Sequence, residues 1–320
     1  MSRITALFQK QGALVGLILL VLFASLRYEA FATPENVLNV LRQNSMGGII
    51  AIGMTFVILG GGIDLSVGSL AAVGGALAAE LSPHGTLAAI AVAVLATSAL
   101  GLVNGLLVTR ARVQPFITTL AMMFAARGLL LVHTHEQSVR VDRAASVLTW
   151  LGRGQLGPVP MPIVLLFGSY LVAWLLLEQT RFGRHVFAVG DNEEAARLMG
   201  LDVDRVRLGV YVLSGALAGF AGVLLASRLG AGQPVAGAGW ELNAITAVVV
   251  GGTLLSGGQG NVVSTLVGVL LLGFILNVFN LEGTISSYWQ WVLRGVFLLA
   301  VVIIQNRLGA RAAGGEAVHA

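Results

Sequence analysis

A chain of 320 residues that is 56% apolar and 11% charged, with a mean hydropathy of +0.87, lies well outside the range of water-soluble domains. Its net charge of +4 does not point to nucleic acid, because the cations are scattered between apolar runs, where they report orientation in a bilayer. Cysteine is absent, which excludes disulfides, thiolate catalysis and cysteine–zinc sites.

A span needs about 20 apolar residues to cross a hydrocarbon core of about 30 Å. That length predicts ten transmembrane helices, at residues 12–26, 37–60, 65–81, 87–108, 113–133, 161–177, 208–227, 242–255, 262–279 and 285–304. Arg3, Lys10 and Ala30-Phe31-Ala32 around the first run mimic a secretory signal. Arg27 and Glu29 crowd the would-be cleavage site, so a retained helix is expected. The fold class is therefore all-α and polytopic, a single membrane domain over residues 1–320. Residues 134–160 form a polar loop rich in Gly and Pro, and 178–207 are the most charged stretch.

Arginine placement orients the chain. With the N-terminus inside, one side collects Arg3, Arg110, Arg112, Arg181, Arg184, Arg197, Arg205, Arg207 and Arg307, while Arg27, Arg140, Arg143 and Arg153 fall outside. This predicts cytoplasmic segments at 1–11, 178–207 and 305–320, with both termini inside.

The second and third helices are separated by GGGIDLSVGS, residues 60–69. Non-helical backbone at membrane depth survives only when packed in protein or lining a watery cavity, and broken helices point to a translocation pathway. A faint internal repeat supports this: residues 46–81 and 240–274 each read as apolar run, glycines, polar kink and small-residue helix. Pathway candidates are Gly62, Asp64, Ser66 and Ser69 in the first break, with Glu241, Asn243, Ser256 and Gly258 around the second. Asp64, the one acid deep in an apolar stretch, must face protein or water. It also suits the N-cap of a helix beginning at Leu65, accepting from the amides of Ser66 or Val67, and capping needs no substrate to explain it.

In the charged loop, Gly190 and Asp191 are expected to turn the chain, and Asn192 or Asp191 to cap a short helix from Glu193 to Met199 that ends at Gly200. Glu193 and Glu194 suit its first turn, and its exposed face is predicted to carry Ala195, Ala196 and Leu198. From the residues alone, a docking element for a soluble partner and a solvated loop stand even.

Four stretches carry a resemblance: GIDLSVGS (62–69), QPFITTLAMMFAARG (114–128), GRHVFAVGDNEEAARLMGLDVDRV (183–206) and WELNAITAVVVGGTLLSGGQG (240–260). In order and spacing they resemble the ribose-type permeases of bacterial ATP-binding-cassette (ABC) importers, a family that also serves other monosaccharides and autoinducer-2. The likeness runs from about residue 31 to 306. It implies a ten-helix permease of the bacterial inner membrane, a second permease copy, a cytoplasmic ABC ATPase that holds ATP and magnesium, and a periplasmic sugar-binding protein. It also implies that 191–206 is the element seated in the ATPase cleft, and that this chain binds no cofactor or nucleic acid. A stand-alone secondary transporter or channel for small polar solutes is the alternative, but no ladder of intramembrane acids offers ion coupling.

Leu255-Ser256-Gly257-Gly258-Gln259 spells LSGGQ, a signature of ABC ATPases. Such an enzyme also needs a phosphate-binding G-x-x-x-x-G-K-[ST] loop, and the only lysine here is Lys10, without one. The string is therefore a membrane turn, and the chain is no enzyme. His133 and His135 lack a third ligand nearby, so a loop surface is expected there and no metal site.

Reporter fusions at Gln155 should read periplasmic, and those at Asp204 and Arg311 cytoplasmic. Matching readings at Gln155 and Asp204 would break the ten-span topology.

Overall fold

The computed structural model describes residues 3–283, with side chains from residue 12 onward, and isolated helical positions between 289 and 303. The predicted span 285–304, apart from those positions, and the tail 305–320 lie outside the described residues. Twelve α-helices account for most of the described chain. They are α1 (Arg3–Arg27), α2 (Pro34–Leu59), α3 (Val67–Glu80), α4 (Thr86–Thr109), α5 (Pro115–Thr134) and α6 (Ser146–Arg153). There follow α7 (Met161–Gln179), α8 (Arg181–Asp191), α9 (Glu193–Leu198), α10 (Val203–Leu229), α11 (Trp240–Val250) and α12 (Val262–Glu282). Five of them, α4, α5, α7, α10 and α12, are long and apolar enough to cross a membrane.

The boundaries follow local chemistry. Thr33 caps α2 by accepting from the Asn36 amide, with Pro34 in the first turn, where its missing N–H costs nothing. Asn261 caps α12 by accepting from the Ser264 amide, and Gly283 closes it in the left-handed region.

Helix α10 is the hub, packed on α4, α3 and α2. In lipid, helices associate by close packing, because hydrocarbon is as apolar as leucine. The seam shows the consequence: Gly101 of α4 lies against the Tyr211 carbonyl, Gly215 and Gly219 against Thr97, and Gly222 against Ala71 and Gly75 of α3. Helix α2 is not among the five long spans, since Asn36, Asn39, Gln43 and Asn44 make its first half polar. Its second half is buried almost throughout, from Met46 to Leu59.

Several expectations need correction. The span predicted over 242–255 leaves the helix at Val250, because Gly251 and Gly252 follow, the latter at φ +100°. The loop 178–207 is mostly helical, as α8 and α9. The loop 134–160 holds α6 and contributes to two short antiparallel ladders, β1 (Val139–Arg140) with β4 (Ala231–Gly232) and β2 (Gln155–Leu156) with β3 (Val159–Pro160). Helix α1 begins at Arg3, ahead of the predicted start of the first span at residue 12.

A β-carbon at Gly222 would meet the Ala71 carbonyl and come 2.8 Å from the Gly75 amide, whereas one at Gly128 meets nothing within 4 Å. Gly222→Leu should destabilise the detergent-purified protein by about 1–3 kcal/mol or prevent its insertion, while Gly128→Leu should be near neutral. Equal melting temperatures for the two variants would contradict the α3–α10 packing.

Candidate functional site

The first break is tied into the bundle by hydrogen bonds. Asp64 is 0% exposed. Its Oδ1 accepts from the Ser66 amide at 2.9 Å and the Ser66 hydroxyl at 2.6 Å, and its Oδ2 from Ser214 Oγ of α10 at 2.7 Å. Ser66 Oγ also accepts from Asn104 Nδ2 of α4 at 3.0 Å, and Ser69 Oγ donates to the Ser66 carbonyl. A carboxylate taken out of water needs such donors. The expected bond from the Ser66 amide is present, but α3 starts at Val67, two residues later than predicted. Asp64, Ser66 and Ser69 are buried and Gly62 half-buried beside Tyr211.

The second break meets the charged segment. The Gly258 amide donates to the Leu59 carbonyl at 3.0 Å, so the turn between α11 and α12 closes on the last turn of α2. Gly190 packs into the same point: a β-carbon there would overlap the Leu59 carbonyl and come 2.7 Å from the Gly258 nitrogen. Gly257 (φ +90°) and Gly258 (φ +71°) need the left-handed region, and a β-carbon on Gly258 would lie 2.6 Å from the Asp191 α-carbon. Three backbones therefore meet without side chains between them. This corrects the expectation for Gly190 and Asp191, which form the last turn of α8 and do not turn the chain. The chain breaks at Asn192, whose Oδ1 caps α9 by accepting from the Ala195 amide at 2.9 Å. Ala196 is corrected too: it is fully buried, packing inward. Ser256 is exposed beside the junction.

Ion pairs hold α9 on α10. Glu193 accepts from Arg197 at 3.0 Å and Arg207 at 2.5 Å, and Arg197 also reaches Asp204 at 2.7 Å. Partial burial pushes the Glu193 carboxyl up, but Arg197 and Arg207 outweigh it and hold it below the usual value. The Arg197 hydrogen bond likewise holds Asp204 down. Beyond this cluster Leu198 and Met199 stand 85% and 69% exposed, and Gly200 (φ +81°) ends the element.

In the first turn of α3, Gly68 lies against Glu241, which accepts from the Gly239 amide. Arg127 donates to the carbonyls of Pro234 and Ala236, fixing the same loop. Asn243 lines a cleft of about 730 Å³ between α2, α11 and α12. The structure thus gathers Gly62, Asp64, Ser66 and Ser69 inside the bundle, and Ser256 and Gly258 against Gly190 and Asp191. It leaves Asn243 in the cleft and sets Glu241 against Gly68, next to Ser69 of the first break. Sequence reasoning missed the cleft's other polar residues, Asn36, Asn39, Gln43, Asn44, Asn277 and Asn280. The signal was available as amides at helical spacing on one face of an apolar run.

Residues 36–302 match the family described as the permease component of branched-chain amino acid transport systems. The chain is 43% identical to the ribose import permease RbsC of Escherichia coli (strain K12), over 94% of this chain and 95% of that protein. Identity is also 43% to RbsC of Bacillus subtilis (strain 168), over 94% of each. It is 40% to the L-arabinose ABC transporter permease AraH of Azospirillum brasilense, over 93% of this chain and 88% of that one. No solved structure matches the chain.

Both depressed carboxyls lie below their unfolded values, so their contribution is complete above the ordinary carboxylate range, about 4, and is lost only as pH falls below it. Amide exchange in α9, corrected for intrinsic rate, should show constant protection from neutral pH down to that range. Glu193→Gln should speed it by up to about fivefold, since half-exposed pairs contribute no more than about 1 kcal/mol. Unchanged exchange in the variant would remove the ion pairs as the anchor of α9.

Proposed function

Since the chain belongs to this permease family, we propose that it carries a monosaccharide inward when a separate ATPase acts on α8 and α9. As an ABC permease component it is a polytopic membrane protein and not an ATPase. The LSGGQ string lies in the turn between α11 and α12, against α8, with no phosphate-binding loop in the chain. The names of its relatives, which specify ribose and arabinose, support a sugar as cargo.

The observation that carries the reading is the junction of Leu59, Gly190 and Gly258. A push on α9 passes through α8 into the ends of both broken hairpins with no flexible side chain to absorb it. Leu198 and Met199 offer an exposed apolar tip beside Glu194, the character of a surface completed by another protein. Gly190, Asp191, Asn192, Glu193, Glu194, Ala195, Ala196 and Gly200 then form the coupling element, with Ala196 seating it and Asn192 capping it. In this reading both termini are cytoplasmic, and the chain works in a permease pair served by a periplasmic binding protein. ATP and magnesium belong to the ATPase.

Two variants test this. Ala195→Arg or Leu198→Arg should abolish sugar uptake in a complex that still inserts, and should release the ATPase on purification. Normal ATPase recovery with binding-protein-stimulated hydrolysis would rule out the docking assignment. Gly258→Leu should reach normal membrane levels yet lose uptake by at least about tenfold, because it separates Asp191 from the turn. Uptake at parental rates would show that force does not pass through this contact.

A further inference from the structure

We propose that the cleft between α2, α11 and α12 is the solute-conducting surface of this chain, and that its amides favour an uncharged polyhydroxylated solute. This rests on the importer reading and adds the surface and its chemistry. The bundle's exposed faces elsewhere are hydrocarbon-like: Leu95 on α4, Val132 on α5 and Val172 on α7 are 68%, 74% and 64% exposed. On the cleft side, Asn39, Gln43 and Asn280 are exposed instead. Amides turned toward lipid tails would lose their hydrogen bonding with water, so this side must look onto water or protein.

The lining specifies what passes. Of the described residues, none that line the cleft is charged, and its polar groups are mostly carboxamides. Each carboxamide both donates and accepts, the same repertoire as a hydroxyl. Asn36 and Asn277 exchange reciprocal hydrogen bonds of 2.9 and 2.8 Å between α2 and α12, so a sugar hydroxyl entering there replaces like with like. Trp240 adds a flat apolar surface for the C–H face of a ring. A cleft of about 730 Å³ also falls within the usual range for small-molecule sites, roughly 300–1,000 Å³. A branched-chain amino acid, the cargo in the family's description, would bring a carboxylate and an ammonium, and no charge in the lining compensates either.

The cleft also runs in a useful direction. Along α2 it extends from Asn36 to Gly47, about 16 Å at 1.5 Å per residue. It begins at the end remote from the Leu59–Gly190–Gly258 junction and stops where Gly48 packs on Leu166 and Tyr170. Opening past that plug is the step that the junction would control.

The test uses the complete complex in liposomes and the absence of native cysteine. Single cysteines replacing Asn39, Asn243 and Asn280 should react with a cationic methanethiosulfonate reagent, and loaded binding protein with D-ribose should slow them. Cysteines replacing Leu95 and Val172 should stay unreactive. Asn243→Leu should lower D-ribose uptake about tenfold, and Asn243→Gln should restore most of it, since lost hydrogen bonding costs about 1–3 kcal/mol. Equal damage from Leu and Gln, full uptake in Asn243→Leu, or cleft cysteines no more reactive than the lipid-side controls would overturn the proposal. The two readings fail separately. A wild-type complex that imports L-leucine and not D-ribose ends the sugar assignment and the polyol cleft with it. A ribose-importing complex with unreactive cleft cysteines ends only the cleft.

Discussion

The hydrogen bond from the Gly258 amide to the Leu59 carbonyl joins the two interrupted hairpins, and the packing of α8 against them depends on it. Helix ends leave carbonyls without intrahelical partners, and inside a bilayer there is no water to take them. The end of α2 is satisfied partly by its own following turn, through Gly61 and Gly62 donating to Ile58 and Val57, and partly by the second hairpin. Because the donor Gly258 and the preceding Gly257 lack side chains, α8 can enter the same point with Gly190. A structural requirement of the membrane thus becomes a mechanical contact.

The rest of the bundle sets a closely packed region beside a hollow one. The glycine seam of α10 with α3 and α4 brings backbones close, and Asp64 with Ser66, Asn104 and Ser214 pins the first break into that seam. These groups are buried and hydrogen-bonded to one another, which stiffens the seam. The amide-bearing side of α2 and α12 has the opposite character, with exposed polar groups and a hollow in place of packing.

Much of the molecule was legible in the chain: the membrane class, most helix bounds to within a few residues, both breaks, the Asn192 cap within the charged loop and the permease family. The readings that needed correction share a cause. Gly190 and Asp191 look like turn residues because glycine and aspartate disfavour helix, yet α8 runs through them since only glycine fits against the Leu59 carbonyl. Ala196 reads as one face of a short helix until the fold reveals which side the core lies on. The other cleft amides were overlooked because six scattered Asn and Gln residues mean little until α2 and α12 stand beside the α11 that carries Asn243.

What the sequence alone determined was therefore what depends on local chemistry and on the solvent: apolar length dictates spans, the lack of cysteine and of a phosphate-loop lysine excludes chemistries, and caps and glycines mark the ends. Only the tertiary structure decided which breaks touch, that Gly258 faces Leu59 and Gly190, and that the amides of three helices share one hollow. The reason is physical. Helix propensity and hydropathy act within a few residues along the chain, whereas backbone-to-backbone contact between residues 59, 190 and 258 is set by how three helices pack.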